Sequence, residues 1–310
     1  MKLLFEPLPV YFMHVPKTGG MALGNWLRAS YGRGYVDVGA QRLARYTLAE
    51  LQRFRCYHSW HYSRSLFELI GRADLCPITM LREPVERVVS GFYFSQRRRN
   101  GESVVMANAQ QKDHPASYGT DHKPLDEQDI CRLPNNAQTR ILGARADYAV
   151  FLKPDEQTQL EMPPIPRLLD FRDHTPPPFA AARAWLDEMV VVGLTERYTE
   201  SVQMMADLLG IPAPVDLPFV NANPQRRSSS MRYRDELAPA VLAQLEEQNR
   251  FDLELYAYAA ELFEQQWARY RAQPRRTYSI ASRLRYALRP LRAQVRRIIR
   301  RHPNGLEEGQ

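Results

Sequence analysis

Val10-Tyr-Phe-Met-His-Val-Pro-Lys-Thr-Gly-Gly20 is the stretch that decides the fold. Val10 to Val15 is a short apolar run of Val, Tyr and Phe, the composition of a buried strand. Pro16 ends it, and Lys17, Thr18, Gly19 and Gly20 lead into Met21-Ala-Leu-Gly-Asn-Trp-Leu27, where Leu23, Trp26 and Leu27 recur at helical spacing. The sequence therefore predicts strand, tight turn and helix. The first N–H groups of a helix lack intrahelical partners and sit at its positive dipole end, so such a turn is a ready anion site. Glycines allow a phosphate to approach the backbone closely. Lys17 adds a point charge and Thr18 a hydroxyl donor. The run lacks the Gly that opens a Walker A loop, and its Lys-Thr precedes the glycines instead of following them.

A second unit of the same kind follows. Pro77-Ile-Thr-Met-Leu81 reads as a buried strand, Arg82 leaves its end, and Pro84 suits the first position of a helix. Val85, Val88, Val89, Phe92 and Tyr93 repeat at helical spacing, and Ser90 stands about two turns in. Arg82 and Ser90 can face one phosphate at the carboxyl edge of a parallel sheet. Met189 to Leu194 gives a third apolar strand, followed by an amphipathic helix from Thr195 to Gly210. Tyr31 to Val38 supplies a turn and a short strand. Further helices are expected over 180–188, 235–249 and 251–270, and a short one opens at the capping box Thr47-Leu-Ala-Glu50. The pattern predicts a P-loop-like, three-layer α/β fold with a central, mostly parallel sheet flanked by helices. Two histidines, His58 and His61, stand close together in Cys56-Tyr-His-Ser-Trp-His-Tyr-Ser63.

The chain has 310 residues, enough for one sizeable core. One domain is expected over residues 1–270, with an irregular Pro-rich insertion at about 154–178, a polar loop over 97–128, and an Arg-rich amphipathic tail over 271–310. Three scattered cysteines, Cys56, Cys76 and Cys131, match neither a disulfide framework nor a metal site. Net charge is +7, yet residues 269–301 alone hold twelve Arg and no acid, so the rest of the chain is close to neutral. The basic pI therefore gives no argument for nucleic-acid binding. In the tail, Leu284, Leu288, Leu291, Val295 and Ile298 form an apolar stripe among arginines, a pattern that suits peripheral contact with an anionic membrane face. No apolar run reaches the ~20 residues that span a bilayer, and Met1 to Phe5 is too short for a secretory leader; a cytoplasmic protein is expected.

His-Val-Pro-Lys-Thr-Gly-Gly resembles the 5′-phosphosulfate loop of sulfotransferases that use 3′-phosphoadenosine 5′-phosphosulfate (PAPS), most of all the carbohydrate branch with the heparan sulfate O-sulfotransferases and their bacterial relatives. Leu-Arg-Glu-Pro-Val-Glu-Arg-Val-Val-Ser-Gly-Phe-Tyr-Phe resembles the same family's 3′-phosphate motif, although Asp is commoner where Glu83 stands. Asn135-Asn-Ala-Gln-Thr-Arg140 is similar to the family's Asn-x-Gln-x-Arg segment near the acceptor. Val-Gly-Leu-Thr-Glu-Arg-Tyr198 and Asn249-Arg-Phe-Asp-Leu-Glu-Leu-Tyr256 resemble family scaffold helices. The resemblance implies that PAPS is held at its 5′ end by Pro16, Lys17, Thr18, Gly19, Gly20 and Met21, and at its 3′-phosphate by Arg82 and Ser90. A late basic loop supplies Arg226, Arg227 and Ser228. Gln138 and Arg140 would meet the acceptor, a hydroxyl of a carbohydrate or glycolipid.

The implied chemistry is sulfuryl transfer with PAP as product. Lys17 and the loop N–H groups would neutralise charge on the leaving phosphate oxygen. Histidine is the base best poised near neutral pH, and both His61 and His58 are candidates; Trp60 stands where the family usually has Gly. His14, within the first strand, reads as structural. No metal is demanded. Two other readings stay open: a P-loop-type nucleotide kinase, disfavoured by the missing Walker A loop, and a non-catalytic PAP-binding protein.

Overall fold

The computed structural model describes residues 7–38, 40–60, 64–99, 127–133, 135–149, 152–153, 176–214 and 232–272. Most of the polar loop, the Pro-rich run through residue 175, His61, the loop carrying Arg226, Arg227 and Ser228, and the tail from residue 273 lie outside the described residues.

The described strands are β1 (Val10–His14), β2 (Tyr35–Val38), β3 (Cys56–Trp60), β4 (Cys76–Leu81) and β5 (Val191–Leu194). They form one five-stranded sheet in the order β2-β3-β1-β4-β5, and every pairing is parallel. This is the expected α/β architecture, with a sheet parallel throughout. β1 is buried along its whole length because helices cover both faces. Helix α1 (Gly20–Tyr31) lies over the face carrying Phe12 and His14, against which its Gly20 and Gly24 rest. The opposite face carries Tyr11 and Met13. Phe67, from the helix Arg64–Ile70, packs on Tyr11, and Trp185, from the helix Phe179–Glu188, donates to the Met13 sulfur.

The chain enters the sheet in the middle, moves to β2 and β3 on one side, then crosses to β4 and β5 on the other. The crevice between the carboxyl ends of β1 and β4 is thus a topological switch point, where open α/β sheets bind ligands. After the short helices α2 (Ala40–Leu43), α3 (Leu48–Leu51) and α4 (Arg64–Ile70), the long helix α5 (Pro84–Arg99) leaves β4 beside that crevice. Glu83 accepts a bond from the Glu86 N–H at 2.8 Å, so the longer Glu still caps α5.

Three local readings change. Cys56–Trp60 is a full inner strand, with His58 in its interior. α5 runs to Arg99, and a short helix, Glu127–Ile130, stands at the far end of the expected loop. The four residues Ala40–Leu43 form a helical turn that the sequence pattern did not announce.

Two segments distant in sequence hold each other. Asp252, fully buried near the start of the closing helix Arg250–Ala272, accepts from the backbone N–H groups of Gln138 and Thr139 at 3.0 and 2.7 Å, and from the Thr139 hydroxyl at 2.7 Å. It thereby satisfies orphan donors of the helix Ala137–Gly143. Asn136 donates to Gln248 O and accepts from the Asp252 N–H, while Asn249 accepts from the Asn136 N–H. Arg87, also buried, pairs with Asp252 at 3.9 Å. Asp252→Ala should therefore cost about 3–5 kcal/mol, since it orphans buried donors and a buried cation together. Asp74→Ala, which removes an exposed partner of Arg72, should cost under about 1 kcal/mol. Urea unfolding of both variants checks the contrast.

Candidate active site

The loop between β1 and α1 is held from behind. Arg82 Nη1 donates to the Lys17 carbonyl at 3.3 Å, Thr195 Oγ1 to the Thr18 carbonyl at 3.0 Å, and the Tyr198 hydroxyl to the Gly19 carbonyl at 3.1 Å. In a trans peptide the carbonyl and the following N–H point opposite ways. With the carbonyls of Lys17, Thr18 and Gly19 drawn toward these donors, the N–H groups of Thr18, Gly19 and Gly20 point away from them. The loop takes this path through left-handed residues at Lys17 (φ 73°) and Gly19 (φ 79°). For Lys17 that conformation costs on the order of 1–2 kcal/mol, a strain held in place by the surrounding bonds.

The glycines serve packing as well as approach. A Cβ on Gly19 would lie 2.8 Å from the Tyr198 ring, and one on Gly20 would lie 2.2 Å from His14. Both missing side chains would therefore clash with protein. The Thr18 hydroxyl is also turned inward: Thr18 is wholly buried and donates to the Val15 carbonyl at 2.8 Å. The anion-binding capacity of the loop thus resides in its backbone and in Lys17. Pro16 and Met21 flank it, each half-buried.

Positive charge gathers beside the loop. The Lys17 ammonium sits 3.7 Å from the centroid of the Phe94 ring. Desolvation, reinforced by the cations Arg97 and Arg82, lowers the Lys17 pKa from 10.5 to about 7. A cation kept out of water and beside other cations is suited to an oxyanion, which would relieve both penalties. The residues present therefore fit a phosphate or sulfate group. Arg82 also pairs with Glu86 at 3.3 Å, and the Tyr233 ring lies 5.8 Å from its guanidinium. The Gly91 turn of α5 abuts the Lys17 side chain, with 3.9 Å from a Gly91 Cβ position to Lys17 Cγ. Ser90, half-buried, precedes that turn. The loop, Arg82 and the Gly91 turn of α5 thus lie against one another.

The other predicted residues divide. Gln138 has both amide atoms on Arg82: it accepts from the Arg82 N–H at 3.1 Å and donates to the Arg82 carbonyl at 2.9 Å. It positions the arginine. Arg140 is buried and reaches Asn135 Oδ1 at 3.4 Å. His58 is buried, with one ring nitrogen 2.9 Å from His14 Nδ1 and the other 2.7 Å from the Tyr35 hydroxyl. Desolvation, with smaller effects of the Arg28 and Arg42 charges, holds its pKa down at about 4 against an opposing pull from Asp37. His61 lies just past the end of β3, outside the described residues.

Sequence reasoning missed Phe94, Arg97, Thr195, Tyr198 and Tyr233. Phe94 and Arg97 follow Ser90 by four and seven residues, the spacing of one helix face, so that signal was present. Thr195 and Tyr198 stand in the family-like stretch that reads as scaffold, and Tyr233 has no local signature; the roles of all three depend on the fold. Among the described residues, no group of three or more His, Cys, Asp and Glu could hold a metal ion, and no helix is long and apolar enough to cross a membrane.

An all-parallel α/β sheet with a backbone loop and clustered cations at its switch point is an arrangement that fits a phosphate- or sulfate-bearing ligand. The family described as "Sulfotransferase family" matches residues 5–259, and the chain belongs to it. It is thus a sulfotransferase, and sulfuryl transfer is its general chemistry. No curated protein matches the chain.

Because His58 titrates near pH 4 in the fold and near 6.5 when exposed, the folded state binds fewer protons across that window. Stability should fall as pH drops from 6.5 towards 4, with a His58 share of as much as about 3 kcal/mol. Urea midpoints measured against pH should show a steeper decline in the wild type than in His58→Gln.

Proposed function

We propose that the chain moves a sulfuryl group from PAPS to a hydroxyl of a carbohydrate or glycolipid acceptor. The observation that carries the reading is the loop tied by its three carbonyls, with Lys17 and Arg82 converging on the crevice it borders. Bound PAPS supplies the sulfuryl group. The N–H groups of Thr18, Gly19 and Gly20, with Lys17, would grip the 5′-phosphate and neutralise the charge that grows on its oxygen as the sulfuryl group departs. Arg82, set by Gln138 and Glu86, and Ser90 would take the 3′-phosphate, Arg82 by a bidentate grip. Arg226, Arg227 and Ser228 would close over that end of the nucleotide.

His61 is the base we assign. Its rival His58 has both ring nitrogens engaged and a pKa of about 4, which suits a neutral structural imidazole. Arg140 is the residue assigned to an acidic or hydroxyl-rich acceptor, since the Gln138 amide is committed to Arg82. The carbohydrate assignment rests on the likeness of the motifs to the carbohydrate branch. A cytoplasmic location, with peripheral membrane contact through the Arg-rich tail, belongs to the same reading.

Calorimetry tests the donor. PAP should bind far more tightly than ADP, and Arg82→Ala should abolish the difference; equal affinities for the wild type would refute the reading. Lys17 has a pKa of about 7 when free, and an anion on it would raise that value. Binding should then take up a proton, and PAP affinity should fall as pH rises above 7. Lys17→Ala should lose this dependence, and His61→Ala should lower kcat by about 100-fold or more.

A further inference from the structure

Helix α1 does not rest on an ordinary apolar surface. Gly20 and Gly24, one turn apart, lie flat on two imidazoles: a Cβ on Gly20 would meet His14 Cδ2 at 2.2 Å, and one on Gly24 would meet His58 Cε1 at 2.3 Å. The height and tilt of the first turn of α1 therefore follow the orientation of these rings. That orientation is fixed by a hydrogen-bonded chain across three strands. The Tyr35 hydroxyl on β2 meets His58 Nδ1 at 2.7 Å, and His58 Nε2 on β3 meets His14 Nδ1 on β1 at 2.9 Å.

Each link holds one hydrogen, and a neutral imidazole has one donor and one acceptor nitrogen. If Tyr35 donates, His58 must donate onward to His14; if His14 donates, His58 must donate to Tyr35. The tautomers of the two histidines are thus tied together. Trp60 packs on both imidazoles, with centroids 4.2 Å from His14 and 4.8 Å from His58, and Phe12 stacks on both as well. Little freedom to rotate remains. Gly20, whose N–H is one of the three directed by the loop, sits at the end of this chain.

We propose that Tyr35, His58 and His14 are positioning residues for the donor: they set the direction of the Gly20 N–H and thereby the affinity of the loop for the 5′-phosphate. This rests on the donor reading given above. It also accounts for the histidine in the strand ahead of the loop, and for a second glycine in α1 at a position buried against His58. Tyr35 lies two strands from β1, about 10 Å across the sheet by the usual strand spacing, and is in register with Val10, at the end of β1 away from the loop. Its ring also meets Arg28 of α1, with the guanidinium 5.0 Å from the ring centroid, so the imidazole resonances are what separate the histidine route from that contact.

The test is Tyr35→Phe, which removes one oxygen and keeps the ring. Its control is Tyr57→Phe, which removes a buried hydroxyl bonded to the Leu51 carbonyl at 2.8 Å on the opposite face of the sheet. PAP titrated calorimetrically should bind Tyr35→Phe about fivefold more weakly than the wild type, the worth of one buried hydrogen bond. Tyr57→Phe should bind PAP like the wild type, even if its melting temperature falls. In wild-type protein labelled with 15N-histidine, PAP should shift the ring-nitrogen resonances of His14 and His58. Equal PAP affinities for wild type and both variants, or imidazole resonances that ignore PAP, would overturn the inference alone. Wild-type protein that does not bind PAP would overturn the donor reading and this inference with it.

Discussion

The site depends on three carbonyls facing the wrong way for a ligand. A turn at the start of a helix has no intrinsic reason to present its N–H groups outward; its peptides could rotate and bond to water. Here Arg82, Thr195 and Tyr198 each hold one carbonyl of the Lys17–Gly19 run. They come from the ends of β4 and β5 and from the helix that follows β5. The loop is therefore a property of the whole sheet edge. Thr195 shows this best, because its one hydroxyl hydrogen is shared between the Thr18 carbonyl and the Leu81 carbonyl at the end of β4, 3.0 and 2.9 Å away. One side chain pins two strand exits in register.

Charge follows from the same arrangement. Drawing Arg82 toward the loop brings it near Lys17, and the face of α5 adds Phe94 and Arg97. The aromatic ring excludes water without supplying a counter-charge, so Lys17 is kept poorly solvated among other cations. Glu86 offsets Arg82 in part and also accepts from the Arg234 N–H, which anchors the segment following the basic loop to the foot of α5. The arginine is thus placed before any phosphate meets it, and a preset donor loses less entropy on binding than a freely rotating one.

The sequence was most legible where burial and periodicity agreed. β1, β4 and β5 are apolar runs, and they stand where such runs predict strands. β3 escaped notice because Cys-Tyr-His-Ser-Trp mixes polar and aromatic residues; its polar members face other side chains inside the sheet layers, as when the Tyr11 hydroxyl donates to Ser59. The same mixture drew attention to His58 as a reactive group, when its surroundings make it a packed and doubly bonded one. Gln138 and Asp252 carried family-like patterns whose physical content is mutual support across more than a hundred residues, which no local rule reveals. The cations Lys17 and Arg82 were legible because a strand-to-helix exit at a parallel sheet edge fixes where the next residue must stand.

The bonds from Asp252 to the backbone of residues 138 and 139 have a temporal meaning. A chain emerging residue by residue can assemble β1 to β4 early, yet the short helix that sets Arg82 through Gln138 lacks its cap until the closing helix has been made. The anion crevice is then among the last parts of the molecule to take shape during synthesis. A nascent chain would pass most of its production with β1 to β4 made and the anion crevice unfinished.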